Sequence, residues 1–130
     1  MLDEKVRQLA AGPNFAAVTT QMPSGRFQTQ PIWVTSDDEF LYLNTEVHRV
    51  KFKNVQRDPR ITVMIWQRDD PYGYVEVRGR VVETTTGEAA RRMIDELSMK
   101  YNGRPYPPRQ IQTERVILRV APEVQRVQVR

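Results

Sequence analysis

A compact group of basic residues lies within residues 47–60, in the stretch VHRVKFKNVQRDPR. The group consists of His48, Arg49, Lys51, Lys53, Arg57 and Arg60. Read as a helix of three turns, the stretch places Arg49, Lys53 and Arg57 on one face, because residues four apart are neighbours on a helix. Arg49 and Lys51 come at its start, where free backbone N–H groups also attract an anion. The stretch therefore predicts a site for a phosphate or an anionic tail, with a solvated surface helix as the alternative.

The other face of this predicted helix is apolar. It carries Val47, Val50, Asn54 and Val55 at helical spacing. Pro59 ends the helix, since the residue before a proline is pushed out of the helical region. An apolar run over residues 61–66 follows and predicts a strand.

Groups able to perform covalent or metal chemistry are scarce. The sequence has no cysteine, and its only histidine, His48, cannot form a His/Cys metal cluster. None of the three serines stands in a nucleophile-elbow sequence, and neither a P-loop nor a GxGxxG fingerprint is present. Asp37-Asp38 and Asp69-Asp70 lie in predicted turns, where aspartates commonly bind the backbone. We therefore predict no metal site, and an enzyme built on this sequence needs a bound organic cofactor.

Length and composition favour a single domain over residues 1–130. The chain has 20 basic and 16 acidic residues, a net charge of +4, and these charges are mixed along it. This mild excess favours an anionic ligand. Nucleic acid is disfavoured as a partner, because aromatic residues are few and are not interleaved with the cations. The charged start MLDEKVRQLAAG lacks an apolar signal region, and no apolar run approaches the roughly 20 residues of a membrane helix. We expect a cytoplasmic protein that does not enter a membrane.

Alternating and β-branched stretches predict six or seven strands. They cover residues 15–20, 27–34, 40–44, 61–66, 74–83, 115–120 and 124–129, with a polar turn over residues 67–73. Most neighbouring strands are joined by short turns, which favours antiparallel pairing. Within strands, Pro31 indicates a sheet edge, bulge or break, and Gly79 indicates a bend or a close approach by a ligand or by other backbone atoms. The predicted fold is mainly β (α+β), a closed or partly open antiparallel barrel with helices outside it.

Two further helices frame these strands. The first is capped by Asp3 and stopped by Gly12-Pro13. The second covers residues 86–101, with Thr85 or Thr86 as its N-cap and Asn102-Gly103 as its C-cap. A proline-rich loop, RPYPPR, leads from it to the final strands.

The order of these motifs resembles a known family. The sequence FAAVTT, then QPIWV, FLYLN and the basic helix ending in RDPR, resembles the pyridoxamine 5′-phosphate oxidase-like split β-barrel proteins, which bind a flavin or deazaflavin. Further on, DDPYGYVEVRGRV, KYNGRPYPPR and ERVILRV resemble the actinobacterial branch that uses coenzyme F420. The resemblance runs over essentially the whole chain and implies a split β-barrel.

The resemblance also implies a site. The cofactor ring is expected in a groove between two protomers of a homodimer. Arg49 and Lys51 would bind the cofactor phosphate. The remaining cofactor contacts would be Gln30, Pro31, Ile32, Trp33, Asn44, Thr45 and Tyr74. Trp33, Trp66 and Tyr101 are candidate pocket walls or, alternatively, core aromatics, and no catalytic proton donor is identified.

The resemblance implies an F420-dependent oxidoreductase that passes a hydride from the reduced cofactor to a small acceptor such as an enone. The chain ends at VQRVQVR, without the C-terminal substrate-phosphate segment of the vitamin-metabolising oxidases, so oxidation of pyridoxamine phosphate is not expected. FMN ends at its phosphate, whereas F420 continues into a tail with several carboxylates. The surplus cations Lys53, Arg57, Arg78 and Arg80 suit that tail. The alternatives are an FMN-dependent oxidoreductase and a cofactor-binding carrier without turnover.

Overall fold

The computed structural model describes residues 1–129 and consists of one curled antiparallel sheet with flanking helices. The strands are β1 (Phe15–Gln21), β2 (Phe27–Ile32), β3 (Val34–Ser36), β4 (Leu41–Glu46), β5 (Arg60–Gln67), β6 (Asp70–Thr85) and β7 (Arg115–Val127). The helices are α1 (Glu4–Ala11), α2 (Val50–Arg57) and α3 (Glu88–Asn102), with a 3-10 turn at Pro108–Gln110. The strand order is β2-β1-β5-β6-β7-β4-β3, which confirms a mainly β, antiparallel half-barrel with flanking helices.

The chain crosses from one edge of this sheet to the other at Trp33. β2 pairs with β1 as far as Ile32, opposite Ala16, and β3 pairs with β4 from Val34 onwards. The prediction of one strand over residues 27–34 is therefore wrong at its end, because the chain changes partner strand after Ile32. Pro31 lies in the edge strand β2, a position at which proline is tolerated in a sheet, and the register around it is regular.

Apolar side chains on the inner face of the curled sheet meet inside the half-barrel. Val18, Val63, Val77 and Leu118 are buried there on four different strands. α1 closes the core with Val6, Leu9 and Ala10, Leu2 adds to it from just before the helix, and α2 adds Phe52 and Val55. α1 begins at the predicted cap, where the Asp3 carboxylate accepts the Lys5 N–H at 2.8 Å.

The β5–β6 connection is tighter than predicted. The turn contains only Arg68 and Asp69, and β6 starts at Asp70, so most of the predicted turn over residues 67–73 is strand. A register shift at Trp66/Gln67 accommodates the polar residues at this end of the hairpin. Cross-strand pairing therefore outweighs the local turn preference of DDPYG.

The end of the chain forms one bent strand, and the prediction of two strands there is wrong. β7 continues through Ala121 and Pro122, and its register with β6 shifts at Arg78/Gly79. Gly79 allows the bend, because a Cβ placed on it would come to 2.0 Å from the Ala121 carbonyl oxygen. The predicted close approach at Gly79 is confirmed.

The basic helix is shorter than predicted, and its buried face is only partly the predicted one. α2 begins at Val50, with Arg49 as its N-cap, and residues 47–49 form a turn. Lys51, Phe52, Asn54 and Val55 are buried, whereas Val50 is 42% exposed. Placing Val50 on the inner face was wrong, because the larger Phe52 side chain directs the helix towards the core.

The ends of α3 show one correct cap prediction and one error. The N-cap is Gly87, with φ at +81°, while Thr85 still pairs with Ile117 in the sheet. The C-cap is Gly103 in the left-handed region, as predicted. None of the helices within residues 1–129 is long and apolar enough to cross a membrane.

Gly79→Ala should destabilise the fold, because the new methyl group must displace backbone atoms of Ala121. We expect a loss of about 2 kcal/mol in the free energy of unfolding, measured by urea denaturation. Gly12→Ala is the matched control, because its Cβ meets the movable Asn14 side-chain amide at 2.9 Å and no backbone atom within 3 Å. Equal stability of the two variants would contradict the close approach at Gly79.

Candidate functional site

A cleft of about 370 Å³ opens beside the crossing from β2 to β3. This volume lies in the range of small-molecule sites. Its apolar lining is formed by Phe15, Ala16, Pro31, Ile32, Trp33 and Ile94. Its polar lining is formed by Asn44, Thr45, Arg49, Lys51, Tyr106 and Arg115.

Most of the cofactor contacts expected from the sequence meet in this cleft. Pro31, Ile32, Trp33, Asn44, Thr45, Arg49 and Lys51 all line it. The structure does not bring Gln30 or Tyr74 to the cleft. Gln30 pairs with Val18 along β1, and Tyr74 lies on β6, three strands away from β2, where it pairs with Trp66.

Sequence reasoning missed five lining residues. These are Phe15, Ala16, Ile94, Tyr106 and Arg115. Two of them carried a usable signal, since Tyr106 lies in the RPYPPR motif and Arg115 begins the ERVILRV strand. Their approach to the cleft depends on β7 pairing with β4, where Arg115 stands opposite Glu46.

Trp33 is held by two tyrosines. The Trp33 ring stacks on Tyr101 with centroids 5.2 Å apart and planes 6° apart, and it meets Tyr106 edge-on at 6.1 Å. The Tyr101 hydroxyl donates to the Asn14 carbonyl at 2.8 Å and accepts from the Val34 N–H at 3.3 Å. Trp33 therefore forms a rigid wall of the cleft, and Tyr101 supports it from behind.

Lys100, in the last turn of α3, stabilises the crossing from β2 to β3 through hydrogen bonds. Its Nζ donates to the Val34 carbonyl at 2.6 Å and to the Ala10 carbonyl at 2.7 Å, and lies 4.8 Å from the Tyr101 ring centroid. Burial lowers the pKa of Lys100 to about 8. The Ala10 carbonyl lies in the last turn of α1, where a cation is favourable. These bonds join α1, β3 and α3 next to Trp33.

Three cations converge at the polar part of the cleft. Arg49 is the N-cap of α2, Lys51 lies in its first turn, and Arg115 begins β7. Lys51 and Arg115 are each only 6% exposed. Within residues 1–129, Lys51 has no carboxylate at ion-pair distance. Burial, and then the charges of Arg49 and Arg115, lower the pKa of Lys51 to about 8.

Glu46 is the carboxylate of this cluster. It is fully buried, and its Oε1 accepts the Gln112 and Thr113 N–H groups, each at 2.7 Å. Its Oε2 lies 3.3 Å from Arg115 and 3.4 Å from Arg49. Burial raises the pKa of Glu46, but the two backbone N–H groups and Arg115 outweigh burial and hold it below its ordinary value. Three cations and one carboxylate leave an excess of two positive charges.

Asn44 and Thr45 differ in what they can offer a ligand. Both polar atoms of the Asn44 amide already have a protein partner, since it donates to the Ala90 carbonyl at 2.9 Å and accepts from the Arg115 Nε at 2.8 Å. The Thr45 hydroxyl is buried and has no hydrogen-bond partner among the described residues. Asn44 therefore orients Arg115, and Thr45 can bind a ligand.

The other candidate groups lie outside the cleft. Arg78 and Arg80 on β6 pair with Glu76 and Glu123. His48 binds the Thr113 hydroxyl through Nδ1 at 2.6 Å. In the described part of the chain, no group of three or more His, Asp or Glu side chains is arranged to hold a metal ion.

Comparisons with known proteins agree with this fold. Residues 2–128 match the family model of pyridoxamine 5′-phosphate oxidase. A solved F420 reductase is similar, with 26% identity and a TM-score of 0.84 over 96% of this chain and 98% of that one. A search of curated protein sequences finds no match.

Two more distant structures share the fold alone. A conserved hypothetical protein from Mycobacterium tuberculosis is 20% identical, with a TM-score of 0.70 over 99% of this chain and 86% of that one. A putative pyridoxamine 5′-phosphate oxidase from Listeria innocua is 17% identical, with a TM-score of 0.68 over 95% of each chain. Because the family model covers nearly the whole sequence and these structures share its half-barrel, the chain belongs to the pyridoxamine 5′-phosphate oxidase family.

Proposed function

We propose that this protein is an oxidoreductase that uses coenzyme F420 to reduce a small organic acceptor such as an enone. The observation that carries the proposal is the buried Lys51, which has no carboxylate partner within residues 1–129 and lies beside Arg49 and Arg115. The excess of two positive charges in this cluster favours binding of an anion, because buried charges without compensation are strongly unfavourable. The similarity to an F420 reductase over nearly the full length of both chains supports this cofactor.

The residues in the cleft fit a phosphorylated tricycle. Arg49 and Lys51 would bind the phosphate together with the free N–H groups at the start of α2. The Thr45 hydroxyl would supply a further hydrogen bond, and the ring would lie against Pro31 and Trp33. When bound, reduced F420 supplies the hydride. The chain's own part is to hold the cofactor, exclude water and orient the acceptor.

The cations beyond the phosphate site favour F420 over FMN. Lys53 and Arg57 follow Arg49 at intervals of four residues along α2, and neither has a carboxylate at ion-pair distance in the described part of the chain. They suit the carboxylates of the F420 tail. Arg78 and Arg80 do not, because Glu76 and Glu123 already compensate their charges.

Titration with F420 and FMN, followed by fluorescence, tests the proposal. We expect F420 to bind the wild-type protein, and Lys51→Ala to weaken binding by about ten- to a hundredfold through loss of a charged hydrogen bond. Lys5→Ala, on the exposed face of α1, is the matched control and should leave affinity unchanged. Lys53→Ala should weaken F420 more than FMN, because only F420 carries the tail.

Other outcomes would change the assignment. A purified protein with a flavin spectrum that binds no added F420 would identify FMN as the cofactor. Tight F420 binding without reduction of any enone would favour the carrier alternative. A folded Lys51→Ala protein with the affinity of Lys5→Ala would exclude the phosphate assignment.

Cofactor affinity should fall as the pH rises through about 8. Lys51 is protonated below that pH and loses its charge above it. FMN keeps a constant phosphate charge between pH 7 and 9 and is therefore the cleaner probe. We expect a decrease in FMN affinity of up to about tenfold over this range. Lys51→Arg should abolish the decrease, and a wild-type affinity that does not change with pH would show that Lys51 does not contact the phosphate.

We also propose that the cleft is completed by a second copy of the chain. Phe15, Trp66 and Tyr74 stand in one row across β1, β5 and β6, with Met64 in the next row on the same face. Phe15 is 45% exposed and Met64 is 36% exposed. Phe15 also lines the cleft, so a chain that covers this row would extend the cleft wall.

Met64→Glu should weaken the proposed dimer, because a twofold interface would bring the two carboxylates into an apolar contact. We expect a monomer by sedimentation velocity and weaker F420 binding. Met99→Glu, at a 51% exposed position on α3, is the matched control and should leave both properties unchanged. A wild-type protein that binds F420 as a monomer would refute the dimer but leave the cleft assignment intact.

A further inference from the structure

Glu46 has two kinds of contact, one for each carboxylate oxygen. Oε1 receives two short backbone hydrogen bonds, from Gln112 and Thr113 at 2.7 Å, so it anchors the segment that leads into β7. Oε2 receives only longer contacts, from Arg115 at 3.3 Å and Arg49 at 3.4 Å. The carboxylate is thus fixed by the backbone, and its charge acts on the two guanidinium groups.

Both guanidinium groups keep donors for a ligand. Arg115 uses its Nε for Asn44 and one terminal nitrogen for Glu46. The Arg49 side chain is 45% exposed, and Arg49 lines the cleft. A guanidinium carries five N–H donors, so a phosphate can bind the remaining ones while Glu46 stays in place.

We propose that Glu46 shifts the preference of the cleft away from phosphate monoesters and towards phosphate diesters. The negative charge of Glu46 lowers the net charge of the cluster from +3 to +2. It also repels a doubly charged phosphate more strongly than a singly charged one. A phosphodiester carries one negative charge at neutral pH, whereas a phosphomonoester carries nearly two. Glu46 therefore weakens binding of a monoester such as FMN relative to a diester such as the phosphate of F420. This inference rests on the proposed function, because it assumes a cofactor phosphate at Arg49 and Lys51.

The size of the effect follows from the ligand's charge. With water-like screening and a separation of about 6 Å, loss of one negative charge strengthens binding of a monoanion about threefold and of a dianion about tenfold. The ratio of monoester affinity to diester affinity should therefore rise about threefold when Glu46 loses its charge. This ratio of affinities stays informative even if Glu46→Gln displaces the two arginine side chains and so weakens binding of both ligands.

The test compares FMN with its 5′-monomethyl phosphodiester, which has the same ring and ribityl chain, by fluorescence titration at pH 7.5. In Glu46→Gln we expect the monoester-to-diester affinity ratio to rise about threefold over wild type. An unchanged or lower ratio in the folded variant would overturn the proposal. Binding of neither ester by the wild-type protein would instead refute the phosphate site itself, and with it this inference.

A second pair of variants measures the same quantity if Glu46→Gln does not fold. In Glu46→Gln, the amide NH2 of the new side chain would face the N–H groups of both Arg49 and Arg115, which is unfavourable because donors would meet donors. The substitution Arg49→Gln removes one of these two guanidinium groups. We expect Arg49→Gln/Glu46→Gln to have an affinity ratio about threefold above that of Arg49→Gln alone. Equal ratios in these two proteins would overturn the role of the Glu46 charge.

Discussion

The short connection at Trp33 is the constraint on which the rest of the structure depends. β2 and β3 lie at opposite edges of a seven-stranded sheet, yet one residue separates them in the chain. Consecutive Cα atoms are about 3.8 Å apart, so the two edges must come within about 8 Å of each other at this point. The sheet can satisfy this only by curling on itself. The same curling brings the start of β1 and the end of β4 to the two sides of one cleft.

Contacts from α1 and α3 hold this crossing in place. Lys100 joins the Val34 carbonyl to the last turn of α1, and the Tyr101 hydroxyl joins the Val34 N–H to Asn14. The cost of burying an ammonium group is offset because two carbonyl oxygens accept from it at short distance. The aromatic wall of the cleft therefore rests on satisfied polar contacts as well as on stacking. A wall held in this way loses little conformational freedom when a planar ligand binds against it.

What the sequence could predict depended on the range of the interaction involved. Local signals identified the Asp3 cap and the close approach at Gly79, and they limited Pro31 to a sheet edge, a bulge or a break, because each follows from the chemistry of a single residue. The turn over residues 67–73 was wrong, since pairing with β5 outweighed local propensity.

Site residues that depend on the fold were harder to predict. Arg115 reaches the cleft through the pairing of β7 with β4. Tyr106 reaches it through its edge-on contact with Trp33 and through the Arg115 guanidinium, whose carbon lies 5.3 Å from the Tyr106 ring centroid. The burial of Lys51 and Phe52 in α2 was also missed, because a buried face that includes Lys51 resembles no simple apolar stripe. A buried lysine is recognisable as functional only once its neighbours are known.

The charge balance at the cleft explains why such a lysine is retained. The folded state binds the Lys51 proton less tightly than an unfolded chain does, because the pKa falls from its ordinary 10.5 to about 8. The charged side chain therefore destabilises the free protein fully below about pH 8, and the penalty is relieved as the pH rises from 8 towards 10.5. A purely structural position would favour an apolar residue here. An anion bound between Arg49, Lys51 and Arg115 removes the penalty in the bound state, so its binding energy includes relief of an unfavourable interaction already present in the free protein.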